Sequence, residues 1–230
     1  MNVQGAISNK TALDNEAFLF DACCPVIESE VTHNFASGIL IAPRLILTAW
    51  HAALRPCFVR IPAWNVASGP RLDAIAIEHA PQNTDRRVDL ALLVLQSDAG
   101  VEPARLATDA DFIIACDRGV TLCGFGFTRD RFGNLASAGI KRVTWLPIDT
   151  HDAGEFVAGG IIDGKIHDAE EGDSGGPAYL ETKQGMIVVG IDSRNAAGHK
   201  SVFTRVDAHL DWIYKTAAEH GISLGGGTAS

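Results

Sequence analysis

Apolar residues over most of the chain fall in short runs separated by glycine, proline, asparagine and aspartate, a pattern typical of β-strands joined by turns. These runs predict strands at residues 17–27, 39–41, 45–47, 58–61, 73–79, 90–95, 120–127, 141–148, 185–193 and 202–206. Residues 96–111 are polar and rich in turn formers, so they predict the link between two halves. Helical periodicity begins only at Asp207 and ends before Gly221. The pattern predicts an all-β fold, as one domain or two small barrels, with a helix near the end.

The composition favours a globular protein and argues against a nucleic-acid-binding or membrane-spanning protein. The chain has 230 residues, 47% hydrophobic and 20% charged, which is typical of a globular protein with a sizeable core. A net charge of −9 argues against a nucleic-acid partner, because such proteins carry basic surfaces. No apolar run approaches the 18 or so residues that a membrane span needs. Residues 1–6 do not resemble a signal peptide, so either the protein stays in the cytosol or the numbering begins after a removed leader.

The cysteine pattern does not predict disulfides or metal. The five cysteines include a vicinal pair, Cys23 and Cys24, and an odd count with such a pair does not suggest a disulfide framework. Buried free thiols are the favoured interpretation. The chain has no CxxC or HExxH motif, and residues 65–79 lack the paired acids of a calcium loop. We therefore expect neither a metal nor a cofactor.

The stretch around Ser174 is the strongest candidate for chemistry. It reads EEGDSGGP over residues 170–177, and glycines on both sides of a serine permit a tight loop that exposes its hydroxyl. The amides of Gly172 and Ser174 would converge and form an oxyanion hole, which stabilises the charge that develops when a serine attacks a carbonyl. The alternative is an ordinary Gly/Ser/Asp turn.

Two further residues complete a nucleophilic set in the order His51, Asp89, Ser174. Serine is a weak nucleophile that needs a base to take its proton, and the base needs an acceptor that fixes its tautomer. His51 follows an apolar strand and Asp89 precedes another. Taken alone, each residue is as compatible with an ordinary position at the end of a strand as with a catalytic role.

At this point the sequence resembles the trypsin/chymotrypsin family of serine endopeptidases. The matching segments, in the order of the family, are SGILIAPRLILTAWHAA, VDLALLVL, GFGF, FVAGG, EGDSGGP, VVGIDS, VFTRV and LDWI. The resemblance implies two packed six-stranded antiparallel β-barrels of the chymotrypsin-like type, at about residues 7–105 and 106–206. A C-terminal α-helix would follow at about 207–220, with a disordered tail at 223–230. It implies an endopeptidase acting on polypeptides, with Ser174 as nucleophile, His51 as proton shuttle and Asp89 as the residue that orients His51.

The resemblance also assigns substrate-binding residues. Ser193 matches the family serine that hydrogen-bonds the triad aspartate and whose carbonyl meets the substrate backbone. Asp168 stands where trypsin-like members carry the acid at the base of the specificity pocket, which implies cleavage after Arg or Lys. Asn195 and Ser201 stand where the family usually has glycines that keep this pocket open, and Arg194 replaces a tryptophan and could neutralise nearby acids. The alternative is that Asp168 is an ordinary loop acid.

The resemblance also suggests how the protein is activated and in which compartment it works. In this family, Asp173 usually pairs with a new N-terminal amine, and Ile7 resembles the family's mature N-terminus. We therefore hypothesise that cleavage between Ala6 and Ile7 activates the protein, through an activating protease or regulatory partner. The alternative is that another group satisfies Asp173. The family's disulfide partners are absent, since Ala36, Ala52, Val157 and Glu170 replace cysteines, which favours a reducing compartment such as a bacterial cytosol.

Two other functions were considered. A catalytically silent binding module with this fold would tolerate loss of the nucleophile or base, whereas His51, Asp89 and Ser174 are all present. An esterase-like hydrolase is suggested by GxSxG, which residues 172–176 match literally. That motif belongs to α/β chains in which the histidine comes last, and here the histidine comes first.

Overall fold

The computed structural model describes residues 11–12, 18–29, 34–82, 88–129 and 134–225, so Ile7 and most of the predicted tail lie outside the described residues. The strands are β1 Thr11–Ala12, β2 Cys23–Ser29, β3 Asn34–Ala42, β4 Leu45–Thr48, β5 Phe58–Arg60, β6 Arg71–His79, β7 Ala91–Leu95, β8 Arg105–Leu106, β9 Val120–Gly124, β10 Arg142–Leu146, β11 Ile148–His151, β12 Glu155–Ile162, β13 Lys165–His167, β14 Pro177–Thr182, β15 Gly185–Ala196 and β16 Lys200–Arg205. The helices are α1 Asp109–Arg118 and α2 Leu210–Glu219, with short 3₁₀ turns at Phe18–Phe20, Trp50–Ala52 and Asp207–His209.

The first half closes into a barrel of six antiparallel strands in the order β2-β3-β4-β7-β6-β5. Strands β4 and β7 are buried along their whole length, which explains their unbroken apolar sequences, LILT and ALLVL. They pair antiparallel, with Thr48 opposite Ala91. The segment that follows β4 and the segment that precedes β7 therefore meet at one end of the barrel.

The second half is a sheet with the strand order β1-β10-β9-β14-β15-β16-β12-β11, to which β13 and β8 are added at the side. Its pairings are antiparallel except for the short β8, which lies parallel to β15. Helix α2 follows the last strand and buries Ile213, Thr216 and Ala217. The closed barrel, the second sheet and the terminal helix confirm the expected chymotrypsin-like double-barrel architecture.

One of two apolar clusters contains residues of both halves. The larger cluster of buried side chains contains most of the first barrel together with Phe125, Tyr179, Val188 and Ile213 of the second half. Phe20 packs edge-on against Tyr179, with 5.6 Å between the ring centres. The halves are therefore joined through packing as well as through the chain that links them.

Several local predictions differ from the structure, and strands β12 and β14 were not predicted. The first strand begins at Cys23 instead of residue 17, because Phe18–Phe20 form a 3₁₀ turn that brings Phe20 onto Tyr179. Helix α1 was not predicted, and it begins within the polar link. Its signal was present as a capping box, in which the Thr108 side chain accepts from the Asp111 amide and Asp111 accepts from the Thr108 amide.

All five cysteines lie in described segments and are free thiols, of which Cys23, Cys24, Cys57 and Cys123 are buried. No helix in the described part of the chain is long and apolar enough to cross a membrane. Within the same ranges, no group of three histidine, cysteine, aspartate or glutamate side chains is arranged to hold a metal ion.

Candidate active site

His51 and Asp89 lie together because their strands pair. His51 is three residues beyond the end of β4, in the 3₁₀ turn Trp50–Ala52, and Asp89 is two residues before the start of β7. His51 Nδ1 lies 2.8 Å from Asp89 Oδ2, and the His51 backbone amide donates to Asp89 Oδ1 at 3.0 Å. The carboxylate therefore fixes both the ring and the backbone of His51.

The electrostatics of Asp89 favour its ionised form. Partial burial raises the pKa of Asp89, but hydrogen bonds from His51 and Ser193 outweigh this and hold the pKa below its usual value. The Ser193 hydroxyl donates to Asp89 Oδ2 at 2.6 Å. An ionised Asp89 requires a proton on His51 Nδ1, which leaves Nε2 as the nitrogen able to accept a proton. The His51 side chain is 47% exposed, so Nε2 can meet a ligand.

The loop that carries Ser174 runs between β13 and β14 and is held by consecutive turns. The Asp173 amide donates to the Glu170 carbonyl at 2.9 Å, and the Gly176 amide donates to the Asp173 carbonyl at 2.7 Å. Gly175 has a φ of +81°, and a Cβ there would lie 2.1 Å from Thr48 Oγ1 and 2.3 Å from the Ser37 carbonyl oxygen. Glycine at this position therefore allows the Ser174 loop to lie against the end of β4.

Ser37 connects this loop of the second half to the first barrel, a role that the sequence did not indicate. Its amide donates to the Ser174 carbonyl at 2.8 Å, and its hydroxyl donates to the Gly172 carbonyl at 2.8 Å. The same hydroxyl accepts from the Phe125 amide at 3.1 Å. One buried serine thus joins the Ser174 loop to the segment that follows β9.

Ser174 and His51 line one cleft of about 230 Å³, together with Gly172 and Phe35. A larger cleft of about 820 Å³ extends from His51 and Asp89 to Ser193 and Arg194. His51 is common to both clefts. His51 therefore lies where the two clefts meet, with Ser174 lining the smaller cleft.

The amides of Gly172 and Ser174, which were predicted as an oxyanion hole, belong to the same turn. The peptide between Glu171 and Gly172 directs its carbonyl to the Phe127 amide at 2.9 Å, so its N–H points the other way. Across the described ranges, the N–H groups of Gly172 and Ser174 have no hydrogen-bond partner, although Gly172 is buried. Buried backbone donors are nearly always paired, so the missing partner of the Gly172 amide is unusual.

Asp173, predicted as the activation residue, is buried beside the same turn. Its Oδ1 accepts from the Gly126 amide at 2.8 Å and its Oδ2 from the Glu170 amide at 2.9 Å. A Cβ at Gly126 would lie 2.5 Å from the Asp173 carboxyl carbon, so the close approach depends on that glycine. Its predicted partner Ile7 lies outside the described residues.

The remaining predicted residues form a second group next to the Ser174 loop. Asn195 lies opposite Ser201 in the pairing of β15 with β16, and the buried Ser201 hydroxyl accepts from the Ala169 amide at 2.8 Å. Asp168 is buried directly before Ala169, and its Oδ2 lies 3.7 Å from His199 Nδ1. Asp168, Asn195 and Ser201 are therefore close together, and His199 was not anticipated.

Arg194 was predicted to neutralise nearby acids, but the sequence did not identify which acid it contacts. Its Nη1 and Nη2 donate to the two oxygens of Glu155 at 2.7 and 2.8 Å. The acid that it pairs with is therefore Glu155 on β12. Both residues line the larger cleft.

Comparison with known proteins identifies the family of this chain. The sequence model of the family described as Trypsin matches residues 25–213. The chain is 25% identical over 200 residues to a trypsin of Saccharopolyspora erythraea, which covers 77% of this chain and 85% of that protein. It is 26% identical over 204 residues to human kallikrein-8, covering 80% and 77%, and 22% identical over 210 residues to a trypsin of Squalus acanthias, covering 84% and 90%.

Proposed function

The chain belongs to the trypsin family, and we propose that it hydrolyses peptide bonds with Ser174 as nucleophile, His51 as general base and Asp89 as the residue that orients His51. Family membership makes it a serine-type hydrolase with a polypeptide substrate. The observation that carries the residue assignment is the Asp89 carboxylate, which accepts from His51 and Ser193 while His51 shares a cleft with Ser174.

The chemistry follows from these positions. His51 Nε2 takes the proton of the Ser174 hydroxyl as Oγ bonds to the scissile carbonyl carbon. The tetrahedral intermediate then expels the amine, which takes the proton from His51, and leaves an ester on Ser174. A water molecule, deprotonated by His51, attacks that ester, and the hydroxyl of Ser174 recovers its proton when the acid leaves.

The oxyanion site in this proposal is the pair of amides at Gly172 and Ser174. Their lack of a partner among the described residues supports the assignment, because a developing oxyanion would supply the missing acceptor. Gly172 has a φ of +93°, and a Cβ there would lie 2.7 Å from the Phe35 ring. Only glycine meets both demands at this position.

For specificity we propose cleavage after Arg or Lys. The support is the buried carboxylate of Asp168, six residues before Ser174, which would pair with a guanidinium or an ammonium group. Asn195 and Ser201 would form the sides of that pocket, and Ser193 would hold the substrate backbone. His199 Nδ1 lies 3.7 Å from Asp168 Oδ2, so it would share this carboxylate with the substrate.

For regulation we propose that cleavage before Ile7 provides a new amine for Asp173. Ala12 pairs with Arg142, which pairs with Gly124, and a Cβ at Gly124 would lie 2.4 Å from Asp173 Oδ1. Four residues of extended chain reach about 14 Å, so a chain that starts at Ile7 can span from β1 to this carboxylate. The five free thiols support the further proposal of a reducing compartment such as the cytosol.

The test is hydrolysis of matched peptides with Arg, Lys, Phe or Ala before the cleaved bond. Ser174→Ala serves as the blank and Ser68→Ala, in a distant turn, as the matched control. Turnover of Arg and Lys peptides that disappears only in Ser174→Ala supports the proposal, and loss of that preference in Asp168→Asn supports the role of Asp168. If a folded protein turns over none of them, whether whole or starting at Ile7, the catalytically silent binding module becomes the better explanation.

A further inference from the structure

An ion pair joins the Ser174 loop to the segment after β9. Arg129 Nη2 donates to Glu170 Oε2 at 2.9 Å, and Arg129 Nε donates to Glu170 Oε1. The Glu170 side chain is only 4% exposed, whereas that of Arg129 is 31% exposed. A bidentate pair of this kind fixes the orientation of a carboxylate more tightly than a single hydrogen bond does.

Glu170 begins the turn that leads to the nucleophile. Its amide donates to the Asp173 carboxylate, and its carbonyl accepts from the Asp173 amide, both at 2.9 Å. Gly172 lies inside this turn. The direction of the Gly172 N–H therefore depends on where Glu170 is held.

The segment that carries Arg129 contacts the same turn at two earlier residues. The Gly126 amide donates to Asp173, and the Phe127 amide donates to the Glu171 carbonyl at 2.9 Å. Gly126, Phe127 and Arg129 thus make three contacts with this turn. Arg129 is the one of these three residues that contributes a side chain instead of a backbone amide.

We propose that Arg129 is a positioning residue for hydrolysis, which holds Glu170 so that the Gly172 amide faces the developing oxyanion. This inference rests on the proposed function. Glu170 stands where the family has a cysteine, so in this chain an ionic contact anchors the turn at that position. Arg129 acts only through Glu170 and does not itself touch the substrate.

Loss of Arg129 would leave a buried carboxylate without its counter-charge, and Glu170 would turn toward water. The turn would then shift on the Gly172 side. On the other side, the bond from the Ala169 amide to Ser201 Oγ would still hold Asp168 in place. Because the change falls on the oxyanion site, we expect a lower kcat with little change in KM.

The experiment compares Arg129→Gln and Arg129→Lys with Arg71→Gln. Arg71 makes an ion pair with Asp73 at 2.8 Å on the outside of the first barrel, so its loss controls for a missing surface charge. For each variant we would measure kcat, KM and two inhibition constants, one for a peptidyl boronic acid and one for the product peptide. The boronic acid forms a tetrahedral adduct on the serine and needs the oxyanion site, whereas the product peptide tests ground-state binding.

Removal of one oxyanion donor typically lowers kcat by about 10² to 10³. In Arg129→Gln the Gly172 amide would be displaced but not removed, so kcat should fall roughly tenfold. Boronic acid affinity should fall by a similar factor, while KM and product affinity stay within about twofold. Arg129→Lys should recover part of the loss, because lysine keeps the charge but not the bidentate contact. Arg71→Gln should match the unaltered chain.

Unchanged kcat and boronic acid affinity in Arg129→Gln would overturn the proposal, as would an equal loss of product and boronic acid affinity. If Arg129→Gln does not fold by circular dichroism, Glu170→Gln takes its place, since it removes the charge but keeps the shape. An unaltered chain that hydrolyses nothing, before or after removal of residues 1–6, would refute the proposed function itself. The two failures are therefore distinguishable.

Discussion

The Ser193 hydroxyl and His51 Nδ1 meet the same oxygen of Asp89, at 2.6 and 2.8 Å. Ser193 belongs to β15 of the second half, and Asp89 precedes β7 of the first barrel. The contact joins residues 104 positions apart in the sequence. The orientation of His51 therefore depends on both halves of the fold.

Ser193→Ala should weaken the site without inactivating it. The pKa of Asp89 would rise toward its ordinary value of about 4, so the carboxylate would remain ionised at pH 7 and His51 would keep its tautomer. We expect kcat/KM to fall by less than about tenfold, against about 10⁴ for Asp89→Asn. The measurement is kcat/KM between pH 5 and 9. Equal losses in the two variants would contradict this role of Ser193.

Asp89 should also stabilise the fold in a pH-dependent way. Its folded-state pKa is lowered, so its contribution to the free energy of unfolding is complete above its unfolded pKa of about 4 and is lost as the pH falls through the lower folded value. Asp89→Asn should therefore be less stable than the unaltered chain at pH 7, and the gap should narrow below about pH 4. Urea unfolding at pH 7 and pH 3 measures this, and a constant gap would refute it.

Gly175→Ala should be strongly destabilising, because its Cβ would overlap Thr48 and Ser37 and because φ there is +81°. We expect a loss of about 3 kcal/mol or more in the free energy of unfolding. Gly185→Ala is the matched control, since its φ is +109° but nothing lies within 4 Å of the added atom. Similar losses in both variants would show that backbone strain alone decides the effect.

A chain that begins at Ile7 should be more active than the full chain, and acetylation of its N-terminal amine should abolish the gain. The reason is that Asp173 is a buried carboxylate, whose ionised form a cation in direct contact would stabilise. The measurement is kcat/KM for the three forms. Equal activity of the full, shortened and acetylated chains would mean that the present partners of Asp173 are sufficient.

The cysteines should react slowly with thiol reagents in the folded protein. Burial raises the pKa of Cys57 to about 11 and raises the pKa of Cys24 well above its ordinary value, so little thiolate forms at pH 8. Cys116 is the most accessible of the five and should react first. A colorimetric thiol assay should show one faster group before denaturant and five after it. Rapid reaction of Cys24 in the native state would be inconsistent with this structure.

Much of the site could be predicted because its residues carry local signals. His51 and Asp89 flank apolar strands that pair, and the glycines around Ser174 mark a tight loop. Helix α1 was missed because its first residues are polar and only Phe112 and Ala115 are buried, which is too few for a clear periodic pattern.

Two ion pairs near the candidate site could not be predicted, because each joins residues far apart in the sequence. Arg129 and Glu170 are 41 positions apart, and Arg194 and Glu155 are 39 apart. A charged residue at a strand or loop edge gives no indication of its partner until the fold brings the two together. The same holds for Ser37, whose three contacts depend on the approach of the second half.

The contacts of Ser37 affect how the chain can fold while it is being synthesised. Because synthesis runs from the N-terminus, the first barrel with His51 and Asp89 can be complete on the ribosome before Ser174 has been added. The loop of Ser174 then meets Ser37 and Thr48 as an existing template. Under the proposed mechanism, a partly synthesised chain thus has His51 and Asp89 but lacks Ser174, so it could not cut its neighbours before its own last strands are in place.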